Sequence, residues 1–288
     1  MTRSRMKPIL ATLFLGAAAV ARLAAQAAVP AAGTAAGTAA PVYVVSGAWK
    51  GSVFGDIGGA DKIVPENFEI AERGDGSVAL RSANDRGKIA STSEGIAYYY
   101  REVPADSDFE LAVTASVGTF AKNNQVSLGI MLRDKVYSNE FVKTDLGSYI
   151  AVGPINAANP IAQFAFMRGP EGLVKTADIA KSAPPGPGTS YRMSLKKSGN
   201  VYVLSFGDEE PFTIAQAPAF TAPAFAGETL YIGLFTSRNA QATFTDLRFA
   251  VNEKSVSGLE LDAAGVKTRY RVGEALDLAG LRVQAIYD

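Results

Sequence analysis

The 288-residue sequence contains neither cysteine nor histidine. The first absence excludes disulfide frameworks, thiolate metal sites and cysteine nucleophiles together. The second excludes triads that use an imidazole base and zinc sites built on imidazole. Tryptophan occurs once, at Trp49. Neither sign of charge is in excess, since 28 Lys and Arg balance 28 Asp and Glu. A polyanion such as nucleic acid therefore meets no broad attractive field, and no nucleic-acid partner is expected. Without disulfides, a chain of this length must be held by a hydrophobic core, and 48% apolar residues are enough to build one.

The chain begins with a short basic region, Arg3, Arg5 and Lys7, followed by an apolar run from Ile9 to Ala21. That run falls short of the roughly 20 residues that span a bilayer. Small residues follow, and Ala25-Gln26-Ala27 has the A-x-A form of a cleavage site. Residues 1–27 are read as a cleaved export signal, which leaves no membrane association afterwards. Its loss removes four basic residues and no acidic one, so the mature chain keeps 24 basic against 28 acidic residues. Residues 28–41, AVPAAGTAAGTAAP, carry no charge and no large apolar side chain. Such a segment cannot offset its ordering entropy and is read as a flexible linker.

From Val42 onward the apolar pattern has a period near two. Strands are predicted at Ser77–Ser82, Phe109–Val117, Val126–Leu132, Ser148–Val152, Ala162–Arg168, Tyr191–Lys197, Val201–Phe206, Thr229–Ser237 and Ala242–Val251. Gly74–Gly76 and Ser198–Asn200 have hairpin chemistry. The proline-rich stretch Ser182–Ser190 must be an exposed crossing loop. No segment after the leader sustains a helical apolar stripe beyond about three turns. YIGLF and LGIML are apolar at nearly every position, as expected of central strands covered on both faces, whereas YRMSLKK alternates like a half-solvated one. The expectation is an all-β fold of two antiparallel sheets. It is too large for an immunoglobulin domain of about 100 residues and better suited to a jelly roll.

The series NFEIAERGDGSVALRS, GKIASTSEGIAYYYREVPADSDFELAVTASV, NQVSLGIMLRD, GSYIAVG, YRMSLKKSGNVYVLSF and LYIGLFTSRNAQATFTDLRF resembles the concanavalin A-like lectin/glucanase modules of bacterial secreted and surface proteins. It looks most like those found beside polysaccharide lyase and other glycan-degrading domains. The resemblance runs from Trp49 to Phe249 and implies a concanavalin-like jelly roll over residues 42–252. The remainder, residues 253–288, is similar to the first strands of bacterial immunoglobulin-like repeats. Gly273 and Gly280 would serve its turns, and Tyr270, Val272, Leu276, Leu278, Leu281, Val283 and Ile286 its core. Read this way, the segment is the N-terminal part of a truncated domain, with further domains expected beyond Asp288.

Glucanases of this sandwich place carboxylates in an E-x-D-x-x-E order on one strand, because a retaining mechanism needs a nucleophile and an acid on one face. DSDFE (Asp106–Glu110) has the wrong order and reads as a turn leading into a strand, and Asp208–Glu210 reads as a charged hairpin tip. No catalytic residue is assigned. For binding, the useful groups are aromatic faces that stack on sugars and planar cations that grip carboxylates. Trp49, Tyr98, Tyr100 and Tyr149 are the aromatic candidates. Arg133, Arg168 and Arg238 each follow the end of an apolar strand, and if those ends converge they form a cationic rim suited to uronates. The superfamily often holds a structural calcium, for which Asp56, Asp61, Asp134 and Asp145 are the weak candidates.

The leading expectation is a noncatalytic, carbohydrate-binding module of a larger bacterial protein, secreted, at the cell surface or in the periplasm, with a polysaccharide or cell-surface glycan as partner. One alternative is a fragment of a polysaccharide lyase or other glycan-degrading enzyme whose catalytic domain lies elsewhere. The other is a surface adhesin or structural spacer.

Overall fold

The computed structural model describes residues 43–287, apart from 46, 171, 215–224, 253–255, 263, 268 and 276. The expected signal (1–27) and linker (28–41) lie outside the described residues. In chain order the strands are β1 (Tyr43–Val44), β2 (Lys50–Gly55), β3 (Phe68–Glu72), β4 (Val78–Ser82), β5 (Lys88–Ile89) and β6 (Glu94–Pro104). There follow β7 (Asp108–Phe120), β8 (Ser127–Arg133), β9 (Glu140–Phe141), β10 (Tyr149–Ile155), β11 (Gln163–Gly169) and β12 (Gly172–Asp178). The series closes with β13 (Ser190–Ser198), β14 (Val201–Phe206), β15 (Phe212–Ile214), β16 (Thr229–Ser237), β17 (Ala240–Asn252), β18 (Val256–Asp262) and β19 (Arg282–Tyr287). The single helical turn described is a 3₁₀ piece at Ala60–Lys62.

Two sheets hold most of these strands. The eight-stranded sheet runs β1-β3-β4-β17-β7-β13-β14-β15, and the nine-stranded sheet runs β12-β11-β10-β8-β16-β6-β2-β9 with β5 on β6. Pairing is antiparallel except for β1 with β3 and β2 with β9. The chain changes sheet between β1 and β2, β2 and β3, β4 and β5, β6 and β7, β7 and β8, β12 and β13, β15 and β16, and β16 and β17. This shuttling is the jelly-roll sandwich expected from the alternation. Each of the nine predicted strands is a strand here, and the loop at Ser182–Ser190 carries the chain from one sheet to the other.

The main core fills the space between the sheets. Alternate residues of β7 (Phe109, Leu111, Val113, Ala115, Val117) and β13 (Tyr191, Met193, Leu195) meet Leu128, Ile130 and Leu132 of β8 and Leu230, Ile232 and Leu234 of β16. Sheet packing of this kind places about 10 Å between layers. The nine-stranded sheet has a second apolar cluster on its outer face, formed by Phe54, Ile96, Tyr98, Tyr100, Met131, Tyr149, Ala151, Phe166 and Phe235. Hence every residue of β8 and β10 is buried, which explains why LGIML is apolar at both parities. The segment after β8 covers this face: Val136 and Tyr137 pack on the cluster, and Ser52 Oγ donates to the Tyr137 carbonyl at 2.5 Å.

β18 and β19 form a separate antiparallel ribbon. Gly273 and Gly280 sit in turns at φ 86° and 92°, as expected of turn glycines. Among the described residues of the predicted core, Tyr270 and Leu281 are half-buried. Val272, Leu278 and Val283 are exposed, because a two-stranded ribbon offers no second layer to cover them. Leu276 and the side chain of Ile286 lie outside the described residues.

Candidate functional site

Register brings three of the predicted residues together. Tyr149 on β10 pairs with Arg133 on β8 and with Arg168 on β11, so the three stand side by side across adjacent strands on the outer face of the nine-stranded sheet. Glu94, at the start of β6, shares the parity of Ile96, Tyr98 and Tyr100 and therefore points to the same face. Its Oε1 accepts from Arg133 Nη2 at 2.8 Å, and its Oε2 accepts from Arg168 Nη1. The Glu94 and Arg133 side chains are wholly buried, and that of Arg168 is 11% exposed.

One carboxylate thus joins two guanidinium groups in an apolar layer. Burying such charges costs several kcal/mol per ion unless hydrogen bonds replace the lost water. Arg133 meets that condition: Nη2 also donates to the Leu146 carbonyl at 2.6 Å, and Nε donates to the Lys135 carbonyl. Its guanidinium lies 4.7 Å from the centre of the Phe54 ring. Burial lowers the Arg133 pKa to about 10, which leaves it charged at neutral pH. Burial also lowers Arg168.

The tyrosines beside this centre are held as phenols. Burial pushes Tyr98 and Tyr149 well above the ordinary tyrosine range. Tyr98 Oη is 2.8 Å from both the Met131 and the Tyr231 carbonyls and shares its proton between them. Tyr149 Oη has no hydrogen-bond partner among the described residues. With Glu94 occupied by two arginines and both phenols protonated, the centre offers no ready base.

This geometry corrects the expected binding set. Tyr98, Arg133 and Tyr149 are 0% exposed and Tyr100 is 8% exposed, so none can present a stacking face or a cationic rim to a polymer. Tyr98 and Tyr100 stack on each other, with ring centres 5.1 Å apart. Trp49 is half-buried against the main core, stacked on Tyr99 at 4.8 Å with Phe249 edge-on at 6.1 Å. Arg238 lies apart from this group, donating to Gln125 Oε1 at 2.9 Å and pairing with Asp85 at 3.6 Å. The arginine convergence therefore holds for Arg133 and Arg168 alone, and it is directed inward. Sequence reading missed Glu94; its two-residue spacing from Ile96, Tyr98 and Tyr100 is the signal that puts it on their face.

Arg168 is where this centre approaches solvent. A cleft of about 620 Å³ opens over it, lined by Ser91, Thr92, the Asp145–Ser148 turn, Pro170 and Leu173. Gly147 closes that turn at φ 76°, and a Cβ there would lie 2.3 Å from Asp134 Oδ1. Asp134 in turn accepts from the Ser148 and Ala226 backbone N–H groups at 2.8 and 3.0 Å.

The weak calcium candidates are not brought together. Asp56 pairs with Lys88, Asp61 with Lys62, and Asp145 with Lys135, while Asp134 holds the two backbone donors just described. Among the described residues no group of three acidic side chains could hold a metal ion. Asp108 accepts from the Gly199 N–H at 2.7 Å, and Asp106 stays in the turn before β7.

Residues 53–148 match the family model of the pectate disaccharide-lyase N-terminal domain. Over 241 residues, 83% of its length, the chain is 37% identical to Pectate lyase L of Thermoclostridium stercorarium, and it spans 18% of that protein. Among solved structures it is similar to the carbohydrate binding module CBM66 from Bacillus subtilis, with 14% identity, a TM-score of 0.40, and 70% of this chain and 94% of that one covered. Alginate lyase A1-II′ gives 9% identity and a TM-score of 0.39 over 63% of this chain and 82% of that one.

Proposed function

We propose that this chain is an exported, noncatalytic module that binds pectic or related acidic polysaccharide and serves lyase chemistry carried out elsewhere. The observation that carries the reading is the 37% identity to a protein named as a pectate lyase, spread over 83% of this chain and confined to 18% of that protein. The match of residues 53–148 to a lyase N-terminal domain supports it. The lack of a free base beside the buried arginines supports binding over turnover, since β-elimination of a uronate needs a group that removes a proton. Shallow polar surfaces, such as the cleft over Arg168, suit a hydroxyl-rich polymer.

The test is affinity electrophoresis of the full chain through gels containing polygalacturonate or a neutral glucan, with ultraviolet absorbance of unsaturated product followed in parallel. Retardation by the acidic polymer with no product is expected. Product formation by the purified chain would overturn the noncatalytic reading, and unchanged mobility in every polymer would overturn the glycan reading.

A further inference from the structure

The outer face of the eight-stranded sheet carries a second polar depression, of about 510 Å³, whose residues were not among the sequence candidates. Register explains its shape. Arg248 on β17 lies opposite Ala112 on β7, which lies opposite Ser194 on β13, which lies opposite Ser205 on β14. Three small residues in a row leave a low floor, and the next row adds Thr114 opposite Arg192. Arg192 and Arg248 are exposed, and neither has a salt-bridge partner among the described residues.

A bulge builds the wall. The register of β17 against β7 shifts between Thr245 and Arg248, with Asp246 at φ 53°. The extra residue lets Leu247 pack on the main core while Asp246 and Arg248 both stay exposed. Asp246 Oδ2 then accepts from Thr114 Oγ1 at 3.1 Å, which fixes one carboxylate at the rim. Glu110, the other acid in the depression, lies opposite Lys196 in the β7–β13 register.

We infer that this depression binds an acidic polysaccharide, with Arg192 and Arg248 each gripping a uronate carboxylate. The inference rests on the glycan-directed reading and gives it a location. Two strand spacings separate the arginines, about 10 Å across the sheet, and one two-residue step offsets them by about 7 Å. They therefore meet carboxylates on different sugar units. Planar guanidinium forks match carboxylates, while Ser194, Ser205, Thr114 and Asp246 supply partners for ring hydroxyls. With no aromatic platform, the attraction is electrostatic and screened by salt.

The experiment measures retention of the full wild-type chain and of R192A/R248A on polygalacturonate and on its fully methyl-esterified form, at low and high salt. The double variant is expected to melt with the wild type and to lose about tenfold or more in affinity for polygalacturonate. Wild-type retention is expected to fall with esterification and with salt. A folded double variant that binds polygalacturonate as the wild type does would overturn the groove and leave the glycan reading standing. A wild-type chain that binds neither polymer would overturn the glycan reading and the groove with it.

Discussion

Glu94 is the residue on which the outer layer of the nine-stranded sheet depends electrically. Glu94→Gln leaves Arg133 and Arg168 facing each other in a buried layer, and breaking a buried pair from one side costs about 3–5 kcal/mol. Denaturant titration should show that loss, and a midpoint equal to the wild type would contradict it. The two buried phenols make a sharper comparison. Tyr98→Phe removes a hydroxyl that donates to two carbonyls and should cost about 1 kcal/mol, whereas Tyr149→Phe removes one without a partner and should be neutral or stabilising. Equal effects of the two would refute the assignment of their hydrogen bonds. At this scale the sequence was partly legible: two of the three arginines at strand ends, Arg133 and Arg168, do converge, since strand register brings such positions together. Their inward direction was not legible, because it depends on Glu94 and on the covering segment with Tyr137, which pack there only in the folded chain.

Strands are held close by glycines that cannot be replaced. A Cβ on Gly129 would lie 2.0 Å from the Val152 carbonyl oxygen, and one on Gly153 would lie 1.8 Å from that of Leu128. Gly153→Ala should therefore part β8 from β10 and cost about 2 kcal/mol or more, while Gly186→Ala, with open space around it, should change stability by less than about 0.5 kcal/mol. Thermal melting separates these outcomes. The crossing loop has its own fastening, since Glu209 Oε1 accepts from the backbone N–H groups of Ala180, Lys181 and Ser182 at 3.0, 2.7 and 2.7 Å. Desolvation pushes the Glu209 pKa up, but these donors together hold it below the ordinary 4.5. A depressed carboxylate stabilises the fold above its unfolded pKa and loses that contribution as pH falls through the folded value. The loop should therefore become more susceptible to proteolysis below about pH 4, and Glu209→Ala should show that susceptibility already at neutral pH. Most long strands were readable from alternation, β6 excepted because its first seven residues are buried at both parities, and SGN marked its hairpin because Gly199 must take φ 55°. β2 was not readable, because its glycines obscured the pattern, and β12 alternates too weakly, with every residue intermediate or exposed.

The described strands between residues 43 and 252 make a two-layer sandwich with charge sealed into one outer face and left open on the other. The sheet architecture was legible because period-two patterning admits few alternatives once helices are excluded. The proposed binding surface was not, because small residues on three neighbouring strands make the floor of the Arg192–Arg248 depression, and no local stretch of sequence shows them as neighbours. On the proposed function, this chain recognises acidic glycan without cleaving it. The most direct measurement is calorimetric titration of the full chain with oligogalacturonate, followed by chromatography of the recovered sugar. Saturable heat that weakens with salt, with the oligomer recovered intact, is the predicted result; shortened, unsaturated oligomers or an absence of binding heat would contradict it.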